Sequence, residues 1–496
     1  MKRIINILML LCIVLSAQAQ RVLSLDSCRS LALRNNKQLN ISRVNRYAAE
    51  NVKKAAHTKY LPKVDATGTY QLTSREISVL NKNQKNALDN FGSNVGTQAG
   101  NDLSPIITEL AQKGIITPSQ AQTLGGVLQQ AGTSMTSVLN EAGSKVKDAF
   151  RTNTRNLFAA DVLVRQPIYM GGAITAANRI AKINIDLAEN NIEGKRQATL
   201  FDIDQAYWLV VSLRQKQMLT DQYLELVKKF DDDVLKMLKQ GVTTKADELR
   251  VAVRVNEAEM TKTQVDDGLV LAKMHLCQLC GLDLNETIQL EDEDRNDLDL
   301  PDRHYQESGR MDVDNRPELK MLQNTIDISR QNTIVTRAAY LPQVAAVGGY
   351  FMSNPNLLNG FEHKFSGLFH IGVAVRVPVW SWHEGRYKTR ATKAATTIAE
   401  MELADAREKM QLQASQSNFR IKEANKKLVM AARNQQSAEE NLRCAQVGFR
   451  EGVMQTTDVM AAQTAWMNAR SQKIDAEIDV KMSHVNLEKA LGTLHE

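Results

Sequence analysis

Proline is scarce in this 496-residue chain, and its placement is uneven: nine in all, with none from Ile168 to Leu300 and none after Pro378. Two proline-free runs of 133 and 118 residues exclude a loop-rich β-sandwich or a disordered linker. They read as long helices, because a proline inside a helix costs about 3 kcal/mol. Aromatic residues make up only 5% of the chain. Past the first twenty residues no stretch of eighteen consecutive apolar residues occurs, so no transmembrane helix is predicted there. There is no His-Glu-x-x-His, no Gly-x-Ser-x-Gly and no Gly-x-x-x-x-Gly-Lys, which removes the common zinc-protease, serine-hydrolase and phosphate-loop chemistries. The eight histidines are scattered, and no catalytic residue, metal site or cofactor is predicted. Charge is balanced at 62 Lys+Arg against 56 Asp+Glu, with no basic run of the kind that grips nucleic acid.

Residues 1–19 read as a secretory signal peptide. Lys2 and Arg3 precede the apolar stretch Ile4–Leu15, and Ala17-Gln18-Ala19 is a small-x-small cleavage site that leaves Gln20 first. Cys12 leaves with it. No small residue precedes Cys12 as lipid-anchor cleavage requires, so no acylated N-terminus is expected. Of the remaining cysteines, Cys277 and Cys280 are spaced as in redox or zinc motifs, but they lie in the apolar stretch Leu276–Cys280, where packing is the expected role.

The chain repeats itself. Tyr60-Leu61-Pro62-Lys63-Val64 recurs as Tyr340-Leu341-Pro342-Gln343-Val344, an offset of 280. Farther on the offset is 211: Val162–Pro167 matches Val373–Pro378, Gln240-Gly241-Val242 matches Glu451-Gly452-Val453, Asp247 matches Asp458, and Cys280-Gly281 matches Leu491-Gly492. The difference, 69 residues, is an insertion in the first copy between Pro62 and Pro167. The halves are 20–300 and 301–496. Each is predicted to run helix, strand, loop, strand, long helix, tight turn, helix. The first helix is expected over Asp26–Lys59 with Asp26 or Ser27 as N-cap.

Val64, Ala66, Gly68, Tyr70 and Leu72 alternate with polar residues; so do Phe158, Ala160, Val162 and Val164 on the returning strand. Val344, Ala346, Gly348, Tyr350 and Met352, then Phe369, Ile371, Val373 and Val375, are their counterparts. Strands of about ten residues with one apolar and one polar face fit a membrane barrel. They also fit a soluble sheet over a core. Four strands cannot close a barrel, so either the sheet is small and soluble or several chains share one barrel.

Gly172–Lys239 and Gly385–Arg450 are predicted as helices of roughly 100 Å at 1.5 Å per residue. Each ends at a Gly-Val turn, where glycine suits the left-handed conformation. The second return helix carries a heptad seam, Val459, Trp466, Lys473, Val480 and Leu487 with Ala462, Ala469, Ala476, Ser483 and Ala490, repeated 211 residues earlier. The 4-3 spacing predicts left-handed coiled-coil packing. Lys262 and Lys473, which interrupt the seams, are expected to reach out to water. The acidic run Glu291-Asp292-Glu293-Asp294 lacks EF-hand spacing and reads as a solvated linker. The insertion, about Ser74–Asn156, holds eight of the 25 glycines and two cap-then-proline helix starts, Ser104-Pro105 and Thr117-Pro118.

This ordered set resembles the outer-membrane efflux proteins, the TolC family, over about Asp26–Leu494. The Tyr-Leu-Pro segments, the two Val-x-Val-Arg-x-Pro strand ends, the tips Gly241–Asp247 and Gly452–Val459, and Ala490–Leu494 carry the likeness. The resemblance implies a mainly α protein with transmembrane β. As a homotrimer, its three chains would form a 12-stranded β-barrel in outer-membrane lipid and a periplasmic α-helical tunnel. It implies the exit duct of a tripartite efflux pump or type I secretion system, docked to a periplasmic adaptor (membrane fusion) protein and an inner-membrane transporter of the RND, ABC or MFS type. It implies no enzymatic activity. Asp247 and Asp458 match the acids that constrict the pore, and Gly241, Val242, Gly452 and Val453 match the adaptor-docking tips. The chain departs from the family at Ala461, where a second acidic rung is missing, at Met454 in place of a latch arginine, and at Phe449 in place of a latch tyrosine. The insertion would face the outside of the cell, as a lid, a recognition element or an elaboration. The competing class is a soluble periplasmic coiled-coil adaptor or tether.

Overall fold

The computed structural model describes residues 21–74, 80–92, 103–113, 117, 119–120, 122–123, 136–149, 155–295, 311–356 and 363–495. The expected signal peptide lies outside them. Two compact units emerge, and they cut across the sequence repeats: one is helical and takes 1–56, 175–334 and 386–496, the other takes 57–174 and 335–385.

The second unit holds the four predicted strands: β2 (Lys63–Leu72), β3 (Asn156–Met170), β5 (Gln343–Asn354) and β6 (Ser366–Arg376). They form one antiparallel sheet in the order β2-β3-β5-β6. The register brings the apolar sets together: Val64 opposes Val164, which opposes Gly348, which opposes Ile371, and the next row is Ala66, Val162, Tyr350 and Phe369. Because side chains alternate along every strand, these rows build one continuous apolar face. That face is bare; Ile371 is 85% exposed. The opposite face carries Asp65, Asp161, Arg165 and His370, but also Leu163, Phe351 and Leu368, so it is mixed rather than uniformly polar. β3 is longer than the alternation predicts, because a register shift between Pro167 and Tyr169 lets pairing with β5 continue past the proline. At the strand-to-helix corners Leu341 packs against Gly171 and the Tyr340 ring against Gly385.

The insertion leaves β2 where the Thr73 N–H donates to the Arg155 carbonyl. It contains α3 (Lys82–Asp89), α4 (Leu103–Gln112) and α5 (Thr136–Ala149). Leu80, Leu88 and Leu110, with Ile106 and Val146, give it an apolar core of its own, and Lys147 pairs with Asp89. Thr117 and Gln120 bond reciprocally, while α4 starts at Leu103, just ahead of Ser104-Pro105.

The helical unit begins with β1 (Arg21–Leu23), α1 (Leu25–Asn35) and α2 (Lys37–His57). A single first helix over Asp26–Lys59 is therefore a misreading. Ser24, not Asp26 or Ser27, is the N-cap; its Oγ accepts from the Ser27 N–H at 3.2 Å. Asn36 breaks the run with extended backbone and caps α2, its Oδ1 accepting from the Leu39 N–H at 3.0 Å. β1 pairs in parallel with β4 (Ile288–Leu290), which no periodicity announced.

Two hairpins dominate the unit. α6 (Ala173–Lys239) turns into α7 (Lys245–Cys280), and α9 (Glu384–Arg450) into α10 (Thr456–Leu491); α8 (Pro317–Ala338) precedes β5. The long arms are 67 residues each and the returns 36 each. Gly281 and Gly492 end the returns in the left-handed conformation, as the repeat predicts. Val459, Ala462, Ala469, Ala476, Val480, Ser483 and Ala490 of the predicted seam are buried. The seam lysines do not simply reach for water. Lys262 pairs with Asp221 and with Asp266 at 3.3 Å, and its repeat counterpart Lys473 with Glu477 at 3.2 Å.

The acidic run is likewise not a solvated linker. Glu293 is buried, its Oε1 accepting from Lys273 Nζ at 2.5 Å and its Oε2 from the Leu290 N–H. The Tyr207 hydroxyl donates to Asp292 Oδ2 at 2.8 Å, and Arg214 Nε donates to Asp294. Cys28, Cys277 and Cys280 form no disulfide among the described residues and are buried in the adjoining core, and burial pushes the Cys277 thiol up to about 11. A protonated, buried thiol suits packing and not redox chemistry. Nearby, Arg29 clamps Asp204 with two bonds of 2.7 and 2.6 Å, and the Asp204 carboxylate is wholly buried. Asp204→Ala strands the guanidinium and should cost about 3–5 kcal/mol in chemical denaturation, whereas the paired change Arg29→Met with Asp204→Leu should recover most of that loss.

Candidate functional site: the two hairpin tips

Both tips are built the same way. In the first, the Gly241 N–H donates to the Leu238 carbonyl and the Val242 N–H to the Met237 carbonyl, each at 3.0 Å. In the second, Gly452 donates to Phe449 at 3.1 Å and Val453 to Gly448 at 2.8 Å. These paired bonds satisfy the last carbonyls of each arm and require φ near +70° at the glycine; the values are +73° and +75°. A Cβ at either glycine would meet nothing within 4 Å, so backbone conformation alone selects glycine there. The turns leave Val242 and Val453 exposed, the latter at 82%.

Asp247 and Asp458 sit in the first turns of α7 and α10. Asp247 is held on all sides. Its Oδ2 accepts from the Thr244 hydroxyl at 2.6 Å and the Thr243 hydroxyl at 3.4 Å, and its Oδ1 from Arg250 at 3.0 Å. The Thr244 bond, above all, holds this carboxyl below the usual carboxylate range. The cap thus stays charged through neutral pH and loosens only as pH falls through that lowered value. Asp458 Oδ2 accepts from the Gln455 N–H at 3.0 Å. Asp458 thus completes a capping box, and Asp247 steadies the Thr244 cap of its own helix, whose hydroxyl accepts from the Asp247 N–H.

One turn deeper, the two hairpins are joined. Phe230 and Val234 of α6, Val251 of α7, Leu442, Ala445 and Phe449 of α9, and Val459 and Ala462 of α10 form one apolar cluster. The Phe230 and Phe449 rings meet edge to face at 5.0 Å. Phe449 is one of the departures noted above, and its surroundings explain it: apolar packing stands where a hydroxyl would need a partner. Met454 lies over Gly448, and Ala461 is exposed.

Two residues here escaped the sequence reading. Gln463 is 1% exposed, and neither its Oε1 nor its Nε2 has a hydrogen-bond partner among the described residues. Burial and the charges of Glu248 and Asp232 push the Asp231 carboxyl upward. Both flank seam positions, and the seam pattern does not reveal what a third helix places beside them. Among the described residues no helix is long and apolar enough to cross a membrane, and no group of three potential metal ligands occurs.

Residues 313–493 match the family model described as "Outer membrane efflux protein". That match lies within the second of the two repeats. It is 22% identical over 320 residues to the proteases secretion protein PrtF of Dickeya chrysanthemi, covering 62% of this chain and 67% of PrtF. It is 26% identical over 173 residues to the outer membrane protein TolC of Vibrio cholerae, 34% of this chain and 39% of TolC, so that match spans well under half of TolC. Among solved structures, the CmeC outer membrane channel of Campylobacter jejuni superposes with a TM-score of 0.70 at 16% identity, over 95% of this chain and 85% of CmeC. The chain shares the fold of CmeC, mostly helical with a four-stranded sheet.

An unpaired buried amide costs about 1–3 kcal/mol, so Gln463→Met should raise the thermal midpoint; an unchanged or lowered melt would mean that the amide is satisfied.

Proposed function

We propose that this protein is the outer-membrane exit duct of a tripartite efflux pump or type I secretion system, conducting cargo passively while an inner-membrane transporter supplies the energy. The observation that carries this reading is the sheet. Its apolar rows are in register and exposed, and among the described residues β2 and β6 each leave one long edge without a strand partner. In lipid every backbone polar group needs a partner, so such a sheet must close with copies of itself. Two copies give eight strands, a barrel just wide enough to be filled by its own side chains. Three give twelve and leave room for a passage, and the family resemblance selects three. The match to PrtF supports protein export alongside small-molecule efflux among the uses of this fold.

In this assembly the repeats 20–300 and 301–496 supply equivalent parts. Gly241, Val242, Gly452 and Val453 meet the helical hairpins of a periplasmic adaptor through their exposed valines. Asp247 and Asp458, two per chain, set six carboxylates around the entrance, a ring that favours cations. At Asp247 the bonds that steady the helix start do not compete with this role, because they hold its carboxyl below the usual carboxylate range. Purification should require detergent and yield a trimer by mass; a monomer soluble without detergent overturns the proposal. In planar bilayers Asp247→Asn with Asp458→Asn should shift the reversal potential of a salt gradient toward lower cation selectivity, and an unshifted potential removes the ring.

A further inference from the structure

The two hairpins begin the same charge scaffold at equivalent levels, and the second leaves it incomplete. In the first, Lys262 of α7 reaches across to Asp221 of α6 and also meets Asp266, while Glu259 takes Lys228 at 2.7 Å. At the 211-residue offset Lys262 and Asp266 recur as Lys473 and Glu477, but Asp221 becomes Ala432. Among the described residues Lys473 therefore pairs only with Glu477, at 3.2 Å within its own helix. Lys228 and Glu259 recur with reversed sign, as Glu439 and Arg470. That second pair is not made. Gln435 Nε2 donates to Glu439 at 2.8 Å instead. Arg470 lies over the Trp466 ring, 5.4 Å from its centre, and donates to Gln222 Oε1 of the other hairpin at 3.0 Å. Among the described residues Arg470 meets no carboxylate.

Both cations are half-buried, and both line one open recess of about 550 Å³ between α6, α9 and α10. Glu477 lines it too, and the nearby Lys216 is neutralised by Asp475 at 2.6 Å. Two cations against one carboxylate leave the recess a single positive charge. Met218, Leu219 and Ile474 add an apolar wall, and Gln222 an amide. A guanidinium with N–H groups to spare, beside an ammonium, offers the forked donors that a carboxylate accepts. The net charge selects a monoanion, and the apolar wall selects one with a short hydrocarbon body.

We propose that this recess binds a small monocarboxylate, its carboxylate held by Arg470 and Lys473 and its hydrocarbon part against Met218, Leu219 and Ile474. The ligand takes the place of the cross-hairpin acid that the first repeat supplies as Asp221. Because α6 belongs to one hairpin and α10 to the other, it also ties the two hairpins together midway along their arms. The site goes beyond the duct reading and does not rest on it.

The test is calorimetric titration of the full chain in detergent with hexanoate. Hexanol, with the same tail and no charge, and inorganic phosphate, with charge and no tail, are the comparisons. Hexanoate should bind saturably, one per chain, and raise the thermal midpoint, since it binds the folded state alone. Arg470→Gln and Lys473→Gln should each weaken it by about tenfold or more. Ala432→Asp should weaken it as well, by restoring the acid that the first repeat keeps, whereas Lys262→Gln should bind like the parent. If Arg470→Gln fails to fold, Ala432→Asp decides, because it removes no existing contact of either cation. Uptake that is unsaturable, or equal in every variant, is partition into detergent and overturns the site, as does hexanol binding as tightly as hexanoate. Phosphate binding as tightly as hexanoate overturns the choice of a tailed monocarboxylate. None of these failures touches the duct, which stands or falls on the trimer.

Discussion

A sheet with a bare apolar face and two open edges cannot persist alone, either in water or in lipid. In water the face would aggregate; in lipid each unpaired N–H and C=O at an edge would cost several kcal/mol. β2 and β6 are those edges, with the apolar rows of Val64, Val162, Tyr350 and Phe369 running between them. Everything else in the chain is arranged around this constraint. The repeat supplies the strands in pairs, and β3 joins β5 across the repeat boundary, so that one chain presents one continuous four-stranded sheet.

The helical unit solves a different problem. Its arms are too long to be stabilised by one core, so burial is distributed in stations. An apolar cluster near β1 and β4 includes Tyr207, Leu276 and the cysteines, a second surrounds Tyr223 and Ala258, and a third joins Phe230 to Phe449 near the tips. Between them lie polar layers, where Lys262 meets Asp221 and Lys473 meets Glu477. The Lys262–Asp221 pair is partly exposed and adds little net stability, but it crosses from α7 to α6 and so favours one register along a seam of small residues, whereas Lys473–Glu477 lies within α10.

Much of this was legible in the residues. The strands followed from period two, the arms from missing prolines, and the tips from two Gly-Val pairs whose glycines do have positive φ. What escaped reading was governed by contact rather than pattern. A three-residue parallel pairing of Arg21–Leu23 with Ile288–Leu290 is too short for periodicity and joins segments far apart in sequence. Asn36 divides a helix because its side chain caps the next one, a choice that Arg34-Asn35-Asn36 permits without dictating. The acidic run looked solvated because its partners Tyr207, Arg214 and Lys273 lie on helices distant in the chain. At the tips, Asp247 and Asp458 were visible as types, whereas the burial of Gln463 without a partner among the described residues was not.

The equal lengths of the paired arms, 67 and 67, and of the returns, 36 and 36, carry an evolutionary corollary. Each added residue lengthens a helix by about 1.5 Å and rotates everything beyond it by roughly 100°. A single-codon insertion in one arm would therefore put its tip out of level and turn its seam outward. Only matched changes of whole heptads in both arms of a hairpin keep its tip level and its seam facing inward, so the equal lengths act as a ruler.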